Sequence, residues 1–289
     1  MSGLPSGYTQ LEYIRSSGTQ YVDTGIKPNQ NTRVLMDARL DQGSACYLYG
    51  CRGDNAAGYN NRFGIMYTGT FFRSDFGVGN GLTFPSTIRT SVRYQMDKNK
   101  QTCTIGDASV VNTNASFQSD LPMYFFCVRE GPDAKYFASL TLYSCNIYDD
   151  GVLVRNYQPC INASGEIGLY DTVDGKFYAN AGTGTFTAGP EIIPDPPAAP
   201  TGLQTVLAVV LQWAASANAD RYDVYRDGAK LGSTETTQYI DATPEANQTY
   251  VYTVKAVNGG GESVGVSVTV YTKSGYFQYK PLIESANFP

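Results

Sequence analysis

The chain has 289 residues, 42% of them hydrophobic, and a formal net charge of −5, which fits one or two ordinary domains with buried cores. It contains no histidine, which excludes Ser-His-Asp and Cys-His catalysis and the usual zinc hydrolase sites. A sequence pI near 4.8 and the lack of a basic block argue against nucleic acid or an anionic membrane as partner.

Thirty Gly and 23 Tyr, with few helix-periodic apolar stretches, predict an all-β protein. No apolar run is long enough for a transmembrane helix, so no membrane insertion is expected. The start, Met1-Ser2-Gly3-Leu4-Pro5, has neither a basic n-region nor an apolar h-region. The expectation is folding in a cytoplasm, or loss of a leader.

In chain order, residues 11–26 read as two short strands joined at Ser16-Ser17-Gly18. Thr32 to Leu40 alternates, with Val34, Met36, Ala38 and Leu40 on one side and Arg33, Asp37 and Arg39 on the other. Residues 47–80 are rich in aromatics and in Gly and Asn. Tyr47, Tyr49, Tyr59, Tyr67, Phe71, Phe72 and Phe76 lie there, with Arg62 among them. Flat rings stack on the apolar faces of sugars while Asn, Asp and Arg bond the hydroxyls; the alternative is that alternate rings fill a core. Val92, Tyr94 and Met96 repeat the strand alternation, and Gly106-Asp107, Asp149-Asp150-Gly151 and Asp174-Gly175 read as turns. No segment of 1–190 forms an amphipathic helix, so the pattern predicts a sandwich or jelly roll.

Cysteines stand at 46, 51, 103, 127, 145 and 160, without CxxC spacing. They read as small apolar core residues, with disulfides as the alternative. Arg52-Gly53-Asp54 is ordinary turn chemistry before it is an adhesion tripeptide. Glu191 to Pro200 holds four prolines and predicts a semi-rigid polyproline II linker over 191–199.

Residues 200–272 then read as a second, smaller sandwich. Val209, Leu211 and Trp213 alternate, Tyr222 to Gly228 runs a strand into an Asp-Gly turn, and Tyr250, Tyr252, Val254 and Ala256 alternate again. This stretch resembles a fibronectin type III domain, in which Trp213 would match the buried tryptophan of an early strand and Tyr250 the tyrosine corner. The tail 273–289 carries Tyr276, Phe277, Tyr279, Leu282, Ile283 and Phe288. That is more apolar surface than a solvated tail carries, and the tail is predicted to anchor the chain on a neighbour, with folding back onto its own fibronectin-like domain as the alternative.

The motif Ser16-Ser17-Gly18-Thr19-Gln20-Tyr21, with Leu142 to Cys160, Gly168 to Asp171 and Lys176 to Tyr178, resembles the phage and prophage branch of the LamG/concanavalin-A-like lectins. The resemblance covers roughly residues 4–190 and implies a jelly-roll sandwich that often binds glycans. It also implies rim calcium in some members. Asp23, Asp171 and Asp174 are the acids that could serve, although each also suits a turn. Catalytic relatives of that fold carry Glu-x-Asp-x-x-Glu on one strand, a spacing absent here, so no enzyme is expected. The expected architecture is a concanavalin-A-like sandwich over 1–190 followed by a fibronectin-like one. The expected role is a non-enzymatic virion surface protein, a capsid decoration, head fibre or tail-associated subunit. It would be oligomeric on a particle and bound to other virion proteins and to cell-surface or mucus glycans. A secreted bacterial adhesin or carbohydrate-binding accessory module is the alternative, and a glycosidase the third reading.

Overall fold

A computed structural model describes residues 4–53, 61–78, 81–113, 116–193, 195–207 and 210–273. No helix occurs among the described residues; the protein is all-β. It divides into two compact units, Met1–Ile192 and Ile193–Pro289.

The first unit is two sheets packed on one core. The larger runs, edge to edge, Ala108–Val111, Thr102–Ile105, Arg93–Asn99, Thr32–Leu40, Leu140–Asp149, Val152–Asn162, Ile167–Asp171 and Lys176–Tyr178. The smaller runs Asp133–Lys135, Val128–Glu130, Cys46–Arg52, Arg62–Tyr67, Phe72–Gly77 and Leu82–Thr83. Pairing is antiparallel except between Val128–Glu130 and Cys46–Arg52. Val34, Met36, Ala38 and Leu40 supply the large sheet's side of the core, facing Leu48, Tyr49, Phe63 and Ile65 of the small sheet. Strict alternation along Thr32–Leu40 produces this, because side chains of a strand point to opposite faces.

The two strands of the Ser16–Tyr21 motif do not pair with each other. Ile14–Arg15 joins the large sheet against Leu140–Asp149, whereas Val22–Asp23 joins the small sheet against Tyr124–Phe125. The motif carries the chain from one sheet to the other. Gln20 Oε1 accepts from Ser17 N–H (2.7 Å), and Gln20 Nε2 and Thr19 Oγ1 donate to the Thr183 carbonyl (3.1 and 3.0 Å). Gly182 permits this approach, since a Cβ there would lie 2.2 Å from the Thr19 carbonyl oxygen.

The predicted linker starts later than residue 191. Glu191 bridges Leu11, and Ile192 N–H donates to the Gln10 carbonyl (2.9 Å), so both belong to the first unit. The second unit is a fibronectin type III-like sandwich. Thr201–Leu207, Val210–Ala214 and Gln238–Ile240 form one sheet. Ala229–Thr234, Arg221–Arg226, Thr249–Asn258 and Gly261–Glu262 form the other, with Val266–Tyr271 also on Thr249–Asn258. Leu211, Trp213, Tyr222, Val224, Tyr252, Val254 and Ala256 fill its core. Trp213 meets Tyr222 edge-on at 5.3 Å. Tyr250 Oη accepts from the Glu245 N–H (3.0 Å), tying the strand to the loop before it.

Candidate functional site

Three of the rings expected to meet sugars face no solvent. Tyr47, Tyr49 and Phe72 are buried at 1%, 0% and 1% exposure. All seven residues of Cys46–Arg52 are covered on both faces, so neither side of that strand offers a free ring, and Phe72, on Phe72–Gly77, faces the core. Phe76 is likewise buried. Arg62 and Tyr67 are half-buried, Tyr67 packing on Phe72 at 5.1 Å, while Phe71 is exposed. Tyr59 and the six anchor residues Tyr276, Phe277, Tyr279, Leu282, Ile283 and Phe288 lie outside the described residues, as does Asp54.

The three acids named for calcium serve local structure. Asp23 Oδ1 accepts from Gly25 N–H (2.9 Å). Asp171, fully buried, accepts from the Asn156 and Val173 N–H groups (2.8 and 3.0 Å) and lies 3.3 Å from Arg155 Nε. Bonds from Lys176 and Tyr178 hold the Asp174 carboxyl below the usual range. No group of three or more His, Cys, Asp or Glu able to hold a metal occurs among the described residues. The six cysteines are free thiols, all buried.

What the small sheet does assemble is a charged network under one exposed ring. Val128–Glu130 and Asp133–Lys135 form a hairpin with the loop Gly131-Pro132. Gly131, at φ +55°, supplies the positive dihedral that a two-residue II′ turn needs at its first position, and Pro132 follows. Across the hairpin, Lys135 Nζ donates to Glu130 Oε1 (2.8 Å), and Arg52 Nε donates to Glu130 Oε2 (2.6 Å). Burial alone would raise the Glu130 carboxyl. The bonds from Lys135 and Arg52 outweigh it and hold the group below its ordinary value.

Tyr136 follows that hairpin in the left-handed region (φ +54°) and is 47% exposed. A bulky residue there is strained. It is held by the Tyr47 N–H, which donates to the Tyr136 carbonyl (2.8 Å). The Arg52 guanidinium lies 4.9 Å from the Tyr136 ring and 5.5 Å from the Tyr47 ring. Tyr47 Oη in turn donates to Asp75 Oδ2 (2.5 Å), and Arg73 grips the same carboxylate with Nε and Nη2 (2.8 and 3.1 Å). Asp75 is fully buried because the chain passes over it at Gly81, where a Cβ would fall 2.1 Å from Asp75 Oδ1. Burial, and then the Asp75 charge, push the Tyr47 hydroxyl's pKa upward.

The arrangement is a rigid ring standing beside fixed donors. Tyr136, Arg73, Asp75 and Glu130 were absent from the residues singled out in the sequence, and Arg52 drew notice only within Arg52-Gly53-Asp54. The Gly131-Pro132 turn followed by Lys135-Tyr136 is the signal that could have found the platform.

No family model matches the chain. It is 42% identical over 107 residues to the poly(3-hydroxybutyrate) depolymerase of Ralstonia pickettii, covering 35% of this chain and 20% of that protein. It is 32% identical over 144 residues to an α-amylase of Niallia circulans (39% and 11%), and 37% identical over 87 residues to exoglucanase B of Cellulomonas fimi (27% and 8%). The chain thus spans a fifth or less of the length of these relatives. Among solved structures it is similar to a fibronectin domain described as FN3tt mut, with 24% identity, a TM-score of 0.24, and coverage of 27% of this chain and 97% of that one.

Proposed function

We propose that the chain is a non-catalytic, glycan-binding module pair, an adhesive or accessory part of a secreted bacterial polymer-directed system. The observation that carries this reading is the exposed Tyr136 ring on its strained backbone, braced by Arg52, Glu130 and Lys135. Such a ring can stack on a sugar while neighbouring cations bond its hydroxyls. The relatives' names describe enzymes of polymers. The matched stretches, 87 to 144 residues, have the length of one or two sandwich modules rather than of a whole enzyme. The paired state of Glu130 and Asp75, and the absence of histidine from the sequence, support a role without chemistry.

Binding of the whole chain to starch, cellulose, chitin and a broad glycan array tests this, with polyester granules as a parallel arm. Tyr136→Ala should weaken binding about tenfold, equivalent to about 1.4 kcal/mol, at an unchanged melting temperature. Retention on polyester granules alone would move the ligand from glycans to polyesters. The virion-surface reading is kept as the second one. It rests on the resemblance of the Ser16–Tyr21 motif, whose Thr19 and Gln20 side chains here donate to the Thr183 carbonyl while the Tyr21 N–H donates to Asn180 Oδ1. Incorporation of the chain into purified particles, against loss on deleting residues 274–289, is its test.

A further inference from the structure

A second site stands on the first unit and shares no residue with the Tyr136 platform. It is a cleft of about 410 Å³ between the 25–32 segment and the hairpin of Leu140–Asp149 with Val152–Asn162. The hairpin turns at Asp150 and Gly151, both at positive φ, which brings Asp149 to the cleft's rim. Ile26 and Val154, packed over the fully buried Ile147, make an apolar floor continuous with the core, and Tyr148 adds an aromatic wall. Lys27, Asn29, Asp149 and Arg155 make the polar part.

We propose that this cleft binds a single neutral pyranose unit, the terminal residue of a glycan or a free sugar. The inference rests on the glycan-binding reading and deepens it. Four features carry it. The volume lies near the lower end for small-molecule pockets, room for one or two sugar rings rather than a running chain. An apolar floor with a polar rim complements a pyranose, whose C–H face is apolar and whose edge bears hydroxyls. The rim is pre-formed: Asn29 Nδ2 donates to Asp149 Oδ1 (3.1 Å), Asn29 N–H donates to Thr32 Oγ1 (2.9 Å), and Asn29 Oδ1 accepts from Asn31 N–H (2.6 Å). Arg33 sits 5.4 Å from the Tyr148 ring and braces the wall. The charges select against an anion, because Arg155 already lies 3.3 Å from Asp171 and 3.9 Å from Asp174, and Asp149 offsets Lys27. Arg155 also donates Nη1–H to the Val154 carbonyl (2.7 Å), which with those acids holds its guanidinium in place.

The test is amide NMR of the ¹⁵N-labelled full chain titrated with methyl α- and β-glycosides of glucose, galactose, mannose and N-acetylglucosamine. At least one should give saturable shifts at Lys27, Asn29, Asp149 and Arg155. Val154→Trp, which fills the floor, should abolish those shifts and leave binding at Tyr136 intact. Lys27→Ala, at an exposed position that does not threaten folding, should weaken them at least threefold. Shifts confined to the neighbours of Tyr136 would overturn the cleft and leave the glycan reading standing. No saturable shift at the cleft with any glycoside overturns the proposal. Silence at Tyr136 toward polymers as well would remove the broader reading too.

Discussion

Two cations of the first unit are almost wholly removed from water, and they are kept there by opposite means. Arg52, 7% exposed, faces Glu130 across adjacent strands, and Lys135 reinforces the pair from the surface. Lys98, at 0%, points into the core from Arg93–Asn99 and donates to Ser74 Oγ (2.8 Å). The Phe63 and Phe76 rings each lie 5.1 Å from its Nζ, and no ion pair to it occurs among the described residues. A planar guanidinium with a carboxylate keeps its charge at a sheet face. An ammonium with only a hydroxyl and two rings gives up its proton more readily, and burial lowers the pKa of Lys98 accordingly, against weaker opposing effects of Cys103 and Asp75. The difference teaches where charge is used: the paired cation braces the exposed Tyr136, while the unpaired one sits in packing.

The largest expected effect breaks the paired side. Glu130→Ala leaves Arg52 buried without its carboxylate and should destabilise the first unit by about 3–5 kcal/mol, read as a shifted urea midpoint. The same pair gives acid sensitivity. The folded Glu130 carboxyl titrates lower than the unfolded one, so its stabilisation is present above the unfolded pKa, about 4.3, and is lost as pH falls through the folded value. Glu130→Gln should flatten that loss.

The unpaired side predicts a slope of the same sign, stability rising with pH, in a window that ends at the unfolded lysine value rather than the carboxylate one. Lys98 has a lowered folded pKa, so its penalty is absent above the unfolded value near 10.4 and grows as pH falls toward the folded value, by at most about 1.4 kcal/mol per pH unit. Lys98→Met should therefore raise the melting temperature more at pH 7 than at pH 10. Equal shifts at both values would mean that Lys98 keeps its charge inside the core. The core of the first unit can be checked by thiol labelling. Burial pushes the Cys46, Cys51 and Cys160 thiols up to about 12, so a thiol reagent at pH 8 should label none of them in the native protein and all six cysteines in urea. The smallest effect on stability is expected at the exposed ring. Tyr136→Gly relieves the left-handed strain but removes the ring 4.9 Å from the Arg52 guanidinium, two effects that oppose each other, so stability should move by less than about 1 kcal/mol while polymer binding falls.

The chain's own pattern determined a good deal. Alternation in Thr32–Leu40 and around Trp213 carries the core positions, because a strand's period of two assigns faces wherever one face is wet. The Asp-Gly turns and the proline run mark where strands and units end. Only the tertiary structure decided the rest. In Cys46–Arg52 both faces are covered, so no alternation separates Tyr47 and Tyr49 from a binding face, and an aromatic-rich segment looks the same in a core as on a surface. Lys98 stands two residues after Met96 on the inward register, yet its chemistry comes from Ser74, Phe63 and Phe76, which the fold brings from the other sheet. Tyr136 carries no local mark of exposure; its place follows from Arg52 and Tyr47, more than eighty residues earlier in the chain. Local periodicity encodes which way a side chain points, whereas what it meets depends on contacts between distant strands.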